Sequence, residues 1–168
     1  MAEGHKLPLT KAYLICGNIC SGKTYYANRL SIDKNAVILS CDEVENDLFQ
    51  KSLGSAHDEM AERIHFYLLK KAAEIIQHGT NVILDWGFWR KSDRTKASEY
   101  FKALNISYEW HYMNVSDEQR SKNIACRNKA VENGESTDYY VDEGLLSKCN
   151  TLFEPPGREE MDIWYDNK

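Results

Sequence analysis

The stretch Gly17-Asn18-Ile19-Cys20-Ser21-Gly22-Lys23-Thr24 decides the fold of this chain. It matches the pattern G-x-x-x-x-G-K-[ST] at every position. An apolar run, Ala12-Tyr13-Leu14-Ile15-Cys16, precedes it, and Tyr26, Ala27 and Leu30 follow at helical spacing, so the stretch reads as the turn between a strand and a helix. Glycine lets such a turn wrap closely around phosphate oxygens with its N–H groups pointing inward, and the helix behind adds the positive end of its dipole. Lys23 would reach the β- and γ-phosphates of a nucleoside triphosphate, and Thr24 would offer its hydroxyl to Mg2+. A plain glycine turn would not explain a lysine set among such small residues.

Outward from that turn, β-branched runs at 36–39, 81–84, 107–113 and, more weakly, 162–165 alternate with helix-sized segments. This alternation is the mark of a parallel sheet flanked by helices. The clearest helix spans about 57–78, where Met60, Ile64, Leu68, Ala72, Ile75 and Ile76 recur on one face and Gly79 closes the pattern. Ser116-Asp117-Glu118 opens another helix, with Ser116 as its cap. Asn133-Gly134-Glu135-Ser136 reads as a loop, and Glu154-Pro155-Pro156-Gly157 as a break before the last strand. With no repeat and no linker composition, one domain is expected over 1–168, with a lid around 120–141.

Composition narrows the function. The chain has 168 residues, 42% hydrophobic and 28% charged, which suffices for a substantial core. Its 21 basic residues against 26 acidic ones give a net charge of −5, which argues against a surface-wide affinity for nucleic acid or anionic lipid and leaves room for a local basic pocket. The 11% aromatic content and three prolines argue against disorder. Met1 to Lys6 lead into the short apolar run before Gly17, which is too short for a signal-peptide core or a membrane span. Five cysteines without a C-x-x-C pair fit a reducing, cytoplasmic setting, and Cys16 with Cys20 finds no further pair to complete a zinc site. A monomer or weak homodimer is expected.

Several residues can be set beside the phosphate turn. Asp85 ends the run Val82-Ile83-Leu84, where it can hold Mg2+ directly or through water, or cap the turn that follows. Asp42 follows the second strand and reads either as the acceptor of a hydroxyl proton or as a helix N-cap. Arg120, Lys122, Arg127 and Lys129 form a basic cluster, in which Arg127 lies nearest the expected lid. Trp86, Phe88 and Trp89, with Arg94 close behind, read either as a stacking wall for a ring-bearing substrate or as staples for the next helix; Trp86, Trp89 and Arg94 are the substrate candidates. Glu45, Asp47 and His57 fall in the segment that would cover the acceptor.

The order of these parts resembles the small P-loop kinases of the AAA_33 type, similar to the zeta-toxin and chloramphenicol-phosphotransferase group. The subgroup with a Leu-Asp-(Phe or Trp)-Gly-Phe-Trp stretch fits best, here Leu84-Asp85-Trp86-Gly87-Phe88-Trp89. The likeness extends through 92–94, His111-Tyr112, 124–128 and Phe153-Glu154-Pro155-Pro156. It implies a three-layer, adenylate-kinase-like α/β/α fold with a five-stranded parallel sheet in the order 2-3-1-4-5. It also implies transfer of the ATP γ-phosphate to a hydroxyl, with Lys23 and Thr24 on ATP and Mg2+, Asp42 as general base and Arg127 as a lid arginine; residues 17–24 and Arg120 are further nucleotide candidates and Asp85 a further Mg2+ candidate from their own positions. Where relatives often carry two arginines before Ile-Ala-x-Arg-Asn, this chain has Lys122 and Asn123. A small-molecule acceptor such as a nucleoside, sugar or antibiotic is expected. A polynucleotide 5′-hydroxyl kinase and a regulatory ATPase are the alternatives.

Overall fold

Strand β1 (Lys11–Cys16) is the middle of the sheet because both of its faces are apolar: Ala12, Leu14 and Cys16 turn one way, Tyr13 and Ile15 the other. The computed structural model describes residues 10–49 and 54–167, and the N-terminal lead up to Lys6 lies outside them. Beside β1 stand β3 (Asn81–Gly87) and β4 (Ser107–Val115), with β2 (Ala36–Ser40) and β5 (Ile163–Asn167) at the edges. All pairings are parallel and the order is β2-β3-β1-β4-β5, as the resemblance implied.

Helices cover both faces. The Ala12/Leu14/Cys16 face packs on Leu69, Ala72 and Ala73 of α3 (His57–Gln77) and on Ala97 and Phe101 of α4 (Lys91–Ala103). The Tyr13/Ile15 face packs on Ala27 and Leu30 of α1 (Lys23–Lys34). Three further helices, α2 (Cys41–Phe49), α5 (Asp117–Glu132) and α6 (Glu143–Leu152), surround the carboxyl end of the sheet. Ser116 caps α5 by accepting from the Gln119 N–H at 3.2 Å. Among the described residues, no helix is long and apolar enough to cross a membrane.

One element differs from the sequence reading in a way that matters. Strand β3 does not stop at Leu84 but runs to Gly87, so Asp85 lies inside it, opposite Ser40 of β2 and Ile15 of β1. The ladder with β1 then slips at Trp86, bringing Gly87 opposite Cys16. Gly87 leaves the strand at φ +85, and a Cβ there would meet Trp89 Nε1 at 2.6 Å, so both the backbone and the crowding require glycine.

Candidate active site

The phosphate-binding turn is braced from below. Gly17 N donates to Gly87 O at 3.1 Å, and the Trp89 indole donates to Gly17 O at 3.1 Å. Asn18 Oδ1 accepts from Ile19 N at 2.7 Å, while its amide donates to Asn150 of α6 at 3.1 Å. A Cβ on Gly17 would meet Ser21 Oγ at 2.5 Å, whereas Gly22 has open space around it and needs glycine for its φ of +90. Cys20 also lies at positive φ, 56, so the turn holds a strained conformation. Ser21 is fully buried, and its Oγ has no hydrogen-bond partner.

Lys23 opens α1 and folds back so that its Nζ donates to Asn18 O at 2.7 Å. Burial holds this ammonium below the ordinary lysine range, against the pull of Asp85 and Asp42. Burial likewise pushes Asp85, 4% exposed, above the usual carboxylate range, and Lys23 and a hydrogen bond from Thr24 partly offset that. A cleft of about 260 Å³ opens beside these groups, lined by Thr24, Asp85, Asp42 and Asp138 among others. Asp42 is not the cap of α2, because Ser40 Oγ accepts from Glu43 N at 3.3 Å. Its carboxylate therefore faces the cleft without capping duty.

The arrangement suits a nucleotide and Mg2+. The first turn of α1 leaves N–H groups without intrahelical partners, the cradle at Gly17 excludes a Cβ, and a lysine and a buried hydroxyl line it. Mg2+ characteristically takes one or two carboxylates together with substrate phosphates. The Thr24 hydroxyl beside Asp85 is such a donor set, and among the described residues no group of three His, Cys, Asp or Glu side chains forms a metal cage.

Of the four basic residues on α5, two face this site. Arg127 donates to Tyr139 O at 3.1 Å, lies 3.8 Å from Cys20 Sγ, and pairs with Asp138 at 3.8 Å. Arg120 donates to Asn150 at 3.1 Å, the residue that also holds Asn18, and pairs with Asp117 at 2.9 Å. Lys122 pairs with Glu118 at 2.7 Å on the exposed side, and Lys129 is exposed.

The substrate candidates beyond Asp85 fall elsewhere. The Trp86 ring stacks on His65 at 5.0 Å and meets Phe88 in a tilted contact at 4.8 Å, joining α3 to the sheet. Trp89 packs with Ile19, Val141 and Cys149 and spends its N–H on Gly17. Arg94 is 3% exposed and is consumed by structure: Nε pairs with Glu160 at 2.8 Å, and Nη1 donates to Phe88 O at 3.1 Å and Glu154 O at 3.0 Å. Arg94 and the Trp89 N–H are thus engaged inside the fold, and the Trp86 ring packs between α3 and the sheet, contacts that fit the staple reading of both tryptophans.

Other groups at the site had no role assigned from the sequence. Asn123 donates to Cys20 O at 2.9 Å, Asn128 and Val141 exchange two hydrogen bonds, and Asn150 joins Asn18 to Arg120. Behind Asp42, Glu45 is buried against His57 Nε2 at 3.1 Å and Cys41 Sγ at 3.5 Å, and burial raises its carboxyl.

A parallel sheet in this order with a glycine-lysine turn after its central strand defines the P-loop kinase fold. A family model described as an AAA domain (AAA_33) matches residues 13–156, and the chain belongs to that family. A gluconokinase from Sinorhizobium meliloti 1021 shares the fold at a TM-score of 0.68 and 13% identity, over 94% of this chain and 83% of that one. The Mycobacterium tuberculosis APS kinase CysC, in complex with AMPPNP and APS, gives 0.67 and 16%, over 95% of this chain and 89% of that one. A chain of the Pnkp1/Rnl/Hen1 RNA repair complex gives 0.68 and 18%, over 90% of this chain and 46% of that one. At these identities the likeness is one of fold. No curated protein matches the sequence.

Proposed function

We propose that this protein is an ATP-dependent phosphotransferase of the Asp-Trp-Gly-Phe-Trp subgroup that moves the γ-phosphate onto a hydroxyl of a small molecule. The observation that carries this reading is the meeting of Thr24, Asp85 and Asp42 on one small cleft, with Lys23 near enough to feel both carboxylates. Ligands of open α/β sheets bind at the carboxyl ends of the strands.

In this reading residues 17–24 cradle the phosphates with backbone N–H groups, and Lys23 contacts the β- and γ-phosphates. Thr24 and Asp85 hold Mg2+, which when bound offsets charge on the phosphate oxygens. Asp42 orients the acceptor hydroxyl and takes its proton as that oxygen bonds to the γ-phosphorus. The bond from that phosphorus to the bridging oxygen breaks, and ADP carries the electron pair away. Arg127 faces the migrating phosphoryl group from residues 120–141, which act as the lid of a single domain. Three features support a small acceptor: the cleft volume of about 260 Å³, the net charge of −5, and the gluconokinase and APS kinase among the fold's relatives. A cytoplasmic monomer or weak homodimer fits the same reading.

The test is ADP release from ATP with sugars, nucleosides, antibiotics and a 5′-hydroxyl oligonucleotide offered as acceptors. Acceptor-dependent release with a small molecule supports the proposal; release with the oligonucleotide alone, together with steeply salt-dependent binding, replaces it by polynucleotide phosphorylation. Asp42→Asn should then cut turnover by about 10²–10⁴-fold with ATP affinity unchanged. Undiminished turnover in that variant removes Asp42 from the chemistry.

A further inference from the structure

Cys20, in the middle of the phosphate turn, sits at φ 56, a left-handed conformation that a residue with a Cβ keeps only where its surroundings hold it. Helix α5 does the holding. Asn123 donates from its amide to Cys20 O at 2.9 Å, and Arg127, one helical turn further along the same face, reaches Cys20 Sγ at 3.8 Å. Ile124, beside Asn123, packs in the cluster that includes Cys20. Asn123 is itself oriented, because Gln119 donates to its Oδ1 at 2.9 Å and so fixes which end of the amide meets the turn.

The conformation of Cys20 sets the peptide that follows it. That peptide is trans, so with Cys20 O turned to α5 the Ser21 N–H points the other way, back into the turn and 3.3 Å from Asn18 O. The same carbonyl accepts from Lys23 Nζ at 2.7 Å. A bond of 3.3 Å is long, which leaves the Ser21 N–H able to turn to a phosphate oxygen. One hydrogen bond contributes about as much as a left-handed residue costs, so the contact from Asn123 is enough to decide how this peptide lies.

We infer that Asn123 is a positioning residue for nucleotide binding: by holding Cys20 O it keeps the turn in the left-handed conformation that directs the Ser21 N–H inward, and withdrawal of α5 releases it. The other polar contact from α5 to Cys20 is Arg127, which the proposed reaction commits to the phosphoryl group, so Asn123 is the contact that persists with nucleotide bound. The inference rests on residues 17–24 being a phosphate cradle and extends that reading to a residue outside the turn.

The experiment titrates a non-hydrolysable ATP analogue with Mg2+ into the full-length protein by calorimetry. Alongside, it follows the intraresidue HN–Hα NOE of Cys20, which is strongest at positive φ, in the protein without nucleotide. Asn123→Leu keeps the size of the side chain, removes the donor and adds no charge; it stands half-buried on a helix with no buried residue, where the fold tolerates it. It should raise the Kd of the analogue by about three- to tenfold and weaken the NOE. In a Cys20→Gly background, where positive φ carries no Cβ penalty, the same substitution should change Kd by less than about twofold. An equal loss in both backgrounds means that Asn123 merely supports α5 and overturns the inference. So does an Asn123→Leu variant with the Kd or the NOE of the wild type. A wild type that binds no analogue overturns the cradle reading as well. No acceptor enters the test, so its outcome is separable from that of phosphotransfer.

Discussion

The floor of the cleft and its cover are held by different kinds of contact. At the floor, the ends of β1 and β3 are joined by Gly17 N to Gly87 O and by the Trp89 indole to Gly17 O, above a core in which Leu14, Leu84 and Phe101 are fully buried. Over it, α5 has no buried residue along its length. It reaches the phosphate turn through Asn123 on Cys20 O, through Arg127, and through Ile124 against a small cluster of Ile19, Val141 and Cys149. Core burial is cooperative, whereas single exposed or half-buried hydrogen bonds contribute about 0.5–1.5 kcal/mol each. A cover built of such contacts can open locally while the floor stays folded, which is what a lid requires.

Two arginines that look alike in sequence make the contrast testable, and the larger effect belongs to the floor. Arg94→Ala would remove the ion-pair partner of Glu160 and the Arg94 hydrogen bonds to Phe88 O and Glu154 O, and should cost about 3–5 kcal/mol in denaturant unfolding. The pair also contributes to the acid limb of stability. Hydrogen bonds from Arg94 hold the Glu160 carboxyl below its ordinary 4.5. A carboxyl depressed on folding contributes stability that is present above pH 4.5 and is lost as pH falls through the lower folded value. Glu160→Gln should therefore flatten that limb of the unfolding curve. If Arg94→Ala unfolds no more easily than wild type, the floor is not held as described.

Arg127→Ala is the matching substitution in the cover. Stability should move by about 0.5–1.5 kcal/mol, because the guanidinium makes one part-buried hydrogen bond to Tyr139 O and only long contacts to Cys20 and Asp138. Turnover should fall by about 10²–10³-fold, the range seen when one charge-stabilising donor is removed. Stopped-flow phosphotransfer beside thermal unfolding separates the two. A variant that melts early with unchanged turnover would place Arg127 with Arg94, and the distinction between floor and cover would collapse.

Why sequence reading separated these arginines poorly is itself physical. The phosphate turn was legible because its glycines and lysine sit at fixed offsets set by local backbone geometry, and the strand order followed from the family resemblance. The partners of Arg94 could not be read from the sequence, because Glu154 and Glu160 are distant in the chain and no spacing rule joins them. Trp86 and Trp89 were ambiguous for a related reason: an aromatic at a strand's open end can serve substrate or core, and only the packing of Trp86 on His65 and of Trp89 on the phosphate turn shows what each touches. Asn150 left no trace, and Asn123 showed only as a replaced arginine, since an asparagine in a helix reads as surface until its amide is seen to meet a distant backbone or side chain.

The smallest expected effect probes where cover meets floor. Lys148 of α6 pairs with Asp58 of α3 at 3.2 Å, and both side chains are exposed. His57 and Lys148 together hold the Asp58 carboxyl below its ordinary value, but solvent screens so exposed a pair, and such pairs contribute roughly 0–1 kcal/mol. Lys148→Ala should therefore leave unfolding unchanged and raise KM for ATP by about twofold at most. The same shift should appear in wild type when salt is added, because screening and truncation remove one attraction. A tenfold change, or one insensitive to salt, would mean that α6 is fixed to α3 as firmly as β1 is to β3, and the cover could not then move independently of the floor.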